Sequence, residues 1–237
     1  MCNKFGIITG FYPSGKPEGF RKFDGIIFDI DGTLTETNEL IFATFNHVIG
    51  KYLNTTYSTQ EITDLFGPTA ETIIRELIKE NPEEAIEDYF NFYESKHSSM
   101  AKAYDGIAEI VIGLQKQRIP LSIYTGKGRR SSMITLKQVG LIDYFDMIVT
   151  GDDITDHKPS PEGVEIFLEK FNIPRDKTLM IGDAPADIKA ARATGISIAS
   201  VLWDSYAKDE VMKMGSDYYF NTVEELKTFL LPKGMNN

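Results

Sequence analysis

The sequence predicts an α/β fold, a Rossmann-like, doubly wound parallel sheet with a helical domain inserted after the first strand. Three observations predict it. Apolar runs without polar alternation recur at Gly25–Phe28, Pro120–Thr125, Phe145–Thr150, Thr178–Asp183 and Ile196–Val201, and such runs read as parallel strands buried on both faces. Helical periodicities separate the later runs, which is the alternation of a parallel sheet wrapped by helices. The interval from Glu36 to Tyr104 holds no strand-like run and reads as mostly helical.

Taken in chain order, each element has its own warrant. Phe5–Tyr12 and Phe20–Phe23 flank the Pro/Gly-rich stretch Pro13–Gly19, which predicts a small hairpin or arm over residues 1–22. Gly25–Phe28 is the first strand and stops abruptly at Asp29. In the insert, Asn38–Ile49 places Leu40, Ile41, Phe45, Val48 and Ile49 on one helical face. Ser58 with Glu61 has the form of a capping box, Glu71–Lys79 is amphipathic, and Pro82 precedes a further helix over Glu83–Glu94. Beyond the insert, Ile107, Ile110, Val111 and Leu114 recur at helical intervals. Arg130–Val139 and Glu162–Phe171 behave likewise, and Asp187–Thr194 ends at Gly195, a helix-stopping residue. The expected organisation is therefore an α/β core over 23–35 plus 105–231, an insert over 36–104 and a tail over 232–237.

Composition narrows the function. The 237 residues carry 25 basic and 35 acidic side chains, a net charge of −10. A surface so negative repels phosphate backbones and anionic lipid, so neither nucleic acid nor membrane is expected as a partner. An anionic substrate then needs a local positive site, from a cation or a few placed lysines and arginines. The single cysteine, Cys2, excludes an intrachain disulfide and a cysteine-based metal cluster. No apolar run approaches the roughly 20 residues that span a bilayer, and Met1–Phe11 lacks the pattern of a secretory leader. A soluble cytoplasmic protein, monomer or homodimer, is the expectation.

Ligands of open α/β sheets bind beyond the carboxyl ends of the strands. The predicted strand ends here carry Asp29 and Asp31, Thr125 with Gly126 and Lys127, Gly151-Asp152-Asp153, and Asp183 with Asp187; Lys158 sits in a loop just ahead of a helix. Several carboxylates at one edge need a counter-charge. A hard divalent cation supplies it, and Mg²⁺ takes a few carboxylates alongside substrate phosphate. Asp29 and Asp183 are its first candidate ligands. Aspartates spaced i, i+2 near a strand end can aim the same way, and Gly32 lets the chain turn after them. One can then act as nucleophile while the other moves protons. Thr125 and Lys158 suit the charge of a transferring phosphoryl group. These residue types point to phosphoryl chemistry.

Phe28-Asp-Ile-Asp-Gly-Thr-Leu34 resembles the first motif of the haloacid dehalogenase-like superfamily. Thr125-Gly126 resembles the second motif, Lys158-Pro159 the third and Gly182-Asp183-Ala-Pro-Ala-Asp187 the fourth, in family order over about Phe23 to Leu231. The resemblance implies that Asp29 is a nucleophile forming an aspartyl-phosphate and that Asp31 is its acid/base. It implies Mg²⁺ held by Asp29, the Asp31 main-chain carbonyl, Asp183 and Asp187, and phosphoryl oxygens bound by Thr125, Gly126 and Lys158. The insert then corresponds to a helical cap that closes over small substrates. Asp31 separates the chain from the family's dehalogenases, which lack the second aspartate. The Asp-Lys-Thr-Gly-Thr signature of transport ATPases is absent. Thr35–Ile41 and Phe66-Gly-Pro68 look like the subgroup of phosphoglycolate phosphatases, pyrophosphatases and β-phosphoglucomutases. Glu36-Thr37 replaces an Asp-Ser common there, and Gly126-Lys127 stands where many relatives place Asn.

With this resemblance the expected partner is a small phosphorylated metabolite, and the expected activity is hydrolysis of a phosphoglycolate-like monoester. Pyrophosphate hydrolysis, then sugar phosphomutase activity, are the alternatives on the same site; a non-catalytic binding protein that keeps the fold is the alternative of another class. From the cap, Arg75 is the candidate contact to a substrate anion. Asp152 and Asp153 read as loop acids, and His47, His97 and His157 lack partners at metal-ligand spacing.

Overall fold

The computed structural model describes residues 22–232. The arm expected over 1–22 lies outside the described residues but for Lys22, and the tail over 232–237 but for Pro232.

The strands of the main sheet are short, and the three at its centre are buried at every residue. The strands are β1 (Gly25–Phe28), β4 (Leu121–Tyr124), β5 (Met147–Val149), β6 (Thr178–Gly182), β7 (Ser197–Val201) and β8 (Tyr218–Phe220). They pair in the order β5-β4-β1-β6-β7-β8, and every pairing is parallel. Side chains alternate across the sheet because the strand repeat is two. Ile26, Phe28, Leu121, Ile123, Leu179 and Ile181 join a core layer with Ile110 and Leu114. Ile27, Tyr124, Met180 and Ile198 join the opposite layer with Phe167, Ile188 and Val211. The first layer is supplied by α5 (Ile107–Lys116), α6 (Arg129–Gln138) and α10 (Val223–Leu230); the second by α7 (Glu162–Phe171), α8 (Pro185–Thr194) and α9 (Lys208–Met214). The sheet is thus the doubly wound one, with β8 added at its edge.

The chain moves from β1 to β4 and β5 on one side, then crosses to β6 on the other. That reversal flanks β1, and such a switch point opens a crevice at the carboxyl ends of the strands.

Between β1 and β4 lie α1 (Asn38–Leu53), α2 (Thr59–Thr63), α3 (Ala70–Leu77) and α4 (Pro82–Met100). Ser58 and Glu61 do form a reciprocal capping box at the start of α2. These helices share an apolar cluster of their own around Leu40, Phe45, Ile74, Tyr89 and Phe90. The helix expected over Glu83–Glu94 runs on to Met100, since Tyr93 and His97 also find burial, against α6. Two strands that the sequence did not show, β2 (Thr35–Glu36) and β3 (Lys102–Ala103), pair antiparallel where the chain leaves and re-enters the sheet domain. Two residues per strand are too few to leave a pattern.

Candidate active site

Asp29 follows β1 directly, and its backbone N–H donates to Ile181 O at 2.9 Å, which continues the ladder one residue past the strand. Thr125 does the same beyond β4, donating its N–H to Val149 O at 3.0 Å, and Asp183 follows the last residue of β6. Parallel pairing in register therefore delivers Thr125, Asp29 and Asp183 side by side at one edge. Two glycines make room. Gly32 has φ of +75°, and a Cβ there would stand 2.5 Å from Asp183 Oδ2; a Cβ at Gly182 would collide with the Asp187 carboxylate.

Carboxylate oxygens of Asp29, Asp183 and Asp187 lie within 4.8 Å of one another. Lys158, almost fully buried, donates from Nζ to Asp29 Oδ1 at 2.9 Å and to Asp187 Oδ1 at 2.6 Å. The other Asp187 oxygen accepts the Ala184 N–H at 3.0 Å, at the start of α8. Asp187 is thus both helix cap and site residue. Burial pushes the Asp29 carboxyl up to about 6; Lys158 works against that rise and Asp187 adds to it. Burial also drives Asp183 well above the carboxylate range, aided by Asp29 and Asp187. Burial opposes the charge on Lys158, but Asp187 and Asp29 outweigh it and hold the ammonium above the ordinary lysine range. A cluster so short of positive charge and so rich in oxygen donors fits a hard divalent cation.

Asp31 is held by two side chains through three contacts. Thr37 donates its hydroxyl to Oδ1 at 2.5 Å, and Lys127 Nζ lies 3.0 Å from each carboxylate oxygen. Lys127 is as buried as Lys158 and sits 4.9 Å from the centre of the Tyr93 ring in α4. Burial opposes its charge, yet Asp31 together with Tyr93 and Tyr89 outweighs burial and lifts it above the usual range. Tyr93 Oη in turn lies 2.7 Å from Thr135 Oγ1 of α6, which also meets His97 Nε2 at 3.2 Å. A buried polar chain thus links the cap to Asp31.

Asp29, Asp31, Thr125, Gly126, Lys158, Asp183 and Asp187 all line one cavity of about 270 Å³ between the sheet edge and helices α1, α3 and α4. Arg75 is the exception. It lies on the exposed face of α3, bonded to Glu83 at 2.9 Å, because Ala70 and Ile73 occupy the face of that helix turned to the cavity. Asp153 accepts from Thr150 and pairs with Arg129, and Asp152 accepts the Arg129 N–H at 2.6 Å, so both are loop acids. Lys127 and Thr37 complete the site without having been counted among its candidate catalytic or binding residues. Lys127 stood among the strand-end residues and, like Thr37, marked a departure from the subgroup's pattern, but the sequence assigned neither of them a partner or a role.

The fold aligns with TM-score 0.80 and 18% identity to a predicted phosphoglycolate phosphatase from Haemophilus somnus, across 89% of this chain and 99% of that one. It aligns with TM-score 0.75 and 19% identity to CbbY from Rhodobacter sphaeroides in complex with phosphate, across 86% and 96%. In sequence, the chain is 32% identical over 201 residues to pyrophosphatase PpaX of Halalkalibacterium halodurans, covering 85% of this chain and 94% of that protein. Residues 26–201 match the profile of the haloacid dehalogenase-like hydrolases. On that match, and with its α/β core, the chain belongs to the haloacid dehalogenase-like hydrolase family.

Proposed function

We propose that this protein is a Mg²⁺-dependent phosphatase that hydrolyses a small phosphate monoester through an aspartyl-phosphate on Asp29. The observation that carries the reading is the convergence of Asp29, Asp31, Thr125, Lys158 and Asp183 on the floor of one cavity. In the first transfer an Asp29 oxygen attacks phosphorus and the bond to the leaving oxygen breaks in line. Asp31 gives that oxygen a proton. In the second transfer Asp31 takes a proton from water, which attacks the phosphorus, releasing phosphate and restoring the Asp29 carboxylate. Thr125 donates its hydroxyl to a phosphoryl oxygen, and Lys158, already paired with Asp29, opposes the charge that develops.

The carboxylates of Asp29, Asp183 and Asp187, with the Asp31 main-chain carbonyl, would hold the Mg²⁺. Bound there, Mg²⁺ supplies electrostatic stabilisation of the phosphoryl oxygens and counter-charge for the carboxylates. Asp187 also accepts from Lys158, and so keeps the lysine in place.

A second reading rests on the 32% identity to a pyrophosphatase. It keeps every residue role and makes inorganic phosphate the leaving group. Phosphate release from a panel of small esters plus pyrophosphate, with Mg²⁺ or with EDTA, tests both. Metal-dependent release that disappears in Asp29→Ala supports the phosphatase. Turnover indifferent to EDTA, or intact in Asp29→Ala, overturns it.

A further inference from the structure

The floor and the walls of the cavity differ in chemistry. All its charged side chains lie on the floor: four aspartates against Lys127 and Lys158. Lys158 is committed to Asp29 and Asp187, and Lys127 to Asp31. Above them the walls are Ile41 and Phe45 of α1, Phe66 of the loop between α2 and α3, Ile73 of α3, Tyr89 of α4 and, at the rim, Tyr206. Asn38 and Ser131 also line the cavity, but Asn38 donates to Asp204 and Ser131 to the Gly128 carbonyl. The aromatic groups are organised. Phe66 stacks parallel to Phe42 at 6.2 Å, and Tyr206, exposed on the sheet domain, meets Phe66 edge-on at 6.3 Å. The nearby cations are turned to carboxylates elsewhere: Arg75 to Glu83, Arg130 to Glu87 and Arg129 to Asp153.

A leaving group seated against these walls meets hydrocarbon and aromatic faces. An uncharged apolar group gains there by leaving water. A second anion, such as the carboxylate of phosphoglycolate or the far phosphate of pyrophosphate, loses its hydration, and no lining cation remains unpaired to replace it. We propose that the cavity selects phosphate monoesters whose leaving group is uncharged and apolar or aromatic, of about one ring or a short chain. The inference rests on the phosphatase reading and names its substrate class. The volume of 270 Å³ agrees, since it falls just below the roughly 300–1,000 Å³ of drug-sized pockets.

The test compares kcat/KM for n-butyl phosphate and phenyl phosphate with that for 2-phosphoglycolate and pyrophosphate, in Mg²⁺, with p-nitrophenyl phosphate as an activated reference. n-Butyl phosphate is the informative ester, because butanol is no better a leaving group than glycolate. It is expected to exceed phosphoglycolate by about tenfold or more, the scale on which apolar pockets discriminate. Placing a cation on the wall, as Phe66→Lys in the loop or Ile73→Lys in α3, should shift the ratio toward phosphoglycolate by about tenfold. Hydrolysis of p-nitrophenyl phosphate with phosphoglycolate or pyrophosphate preferred over n-butyl phosphate overturns the substrate class and leaves the phosphatase standing. No hydrolysis of any member overturns the phosphatase, and the inference falls with it. The wild-type panel decides even where a lysine variant fails to fold.

Discussion

Lys127 is the residue that sets Asp31 in place, and it does so from a buried position. Its ammonium contacts both Asp31 oxygens while Tyr93 covers it from the cap. Lys127→Met leaves the carboxylate without its bidentate partner. Displacement of a catalytic group by about 1 Å can cost about 100-fold, so kcat should fall by that order with KM little changed, and Lys127→Arg should recover part of it. A KM effect alone would assign Lys127 to substrate binding instead. Breaking one side of a buried ion pair also costs about 3–5 kcal/mol, which chemical denaturation would register. Asp31→Asn should lower kcat by about 10²–10⁴, the usual worth of a placed acid/base. Wild-type turnover in that variant would remove Asp31 from its role.

At the scale of elements, the contact of α4 with α6 and the loop from β6 into α8 decide the geometry. Gly182 ends β6 where the Asp187 side chain comes back against it. Gly182→Ala forces the carboxylate aside. Overpacking of this kind costs about 1–3 kcal/mol, and it should weaken activity as well, because Asp187 holds Lys158. Unaltered stability and turnover would show that α8 can yield. Along the seam, His97 is buried against Thr135, and burial, followed by the charge of Lys127, lowers its pKa from 6.5. The folded state therefore favours neutral His97, and the unfolded chain takes the proton first as pH falls. Stability should decline on acidification below about 6.5 and level off once the folded pKa is passed. Urea midpoints at pH 5.5 and 7.5 test this; an equal decline in His97→Gln would place the titration elsewhere. The same elements show what could be read in advance. Buried strands carry continuous apolar runs, and amphipathic helices repeat their apolar residues every third or fourth position, so β1, β6, α5 and α7 were visible residue by residue. β2 and β3 were not, and neither was the Tyr93–Thr135 bond, which joins residues 42 apart.

For the molecule as a whole, the balance of charge is the governing feature. A chain of net charge −10 gathers three of its carboxylates at one sheet edge, and an ion that binds only the folded state stabilises it by mass action. At about 100 times its Kd, Mg²⁺ should add about 2.7 kcal/mol, a rise in Tm of about 5–10 °C for a chain of this size. Asp183→Asn should remove most of that rise. A Tm unmoved by Mg²⁺ in the wild type would argue against a resident divalent ion. No helix among the described residues is long and apolar enough to cross a membrane.

The succession of five buried strands along the chain, the helical insert and the four motifs were determined by the sequence alone, because periodicity and short motifs are local and survive in one dimension. Asp29, Asp31, Thr125, Lys158 and Asp183 were legible for that reason. What only the tertiary structure decided is which charges meet. Lys127 was free to face water until packing buried it between Asp31 and Tyr93, whereas Arg75 turned away to Glu83 because the apolar face of α3 took the cavity side. The apolar character of the cavity walls was likewise decided only on folding. Phe45, Phe66, Ile73, Tyr89 and Tyr206 come from separate segments, and their common surface exists only once cap and sheet close upon each other.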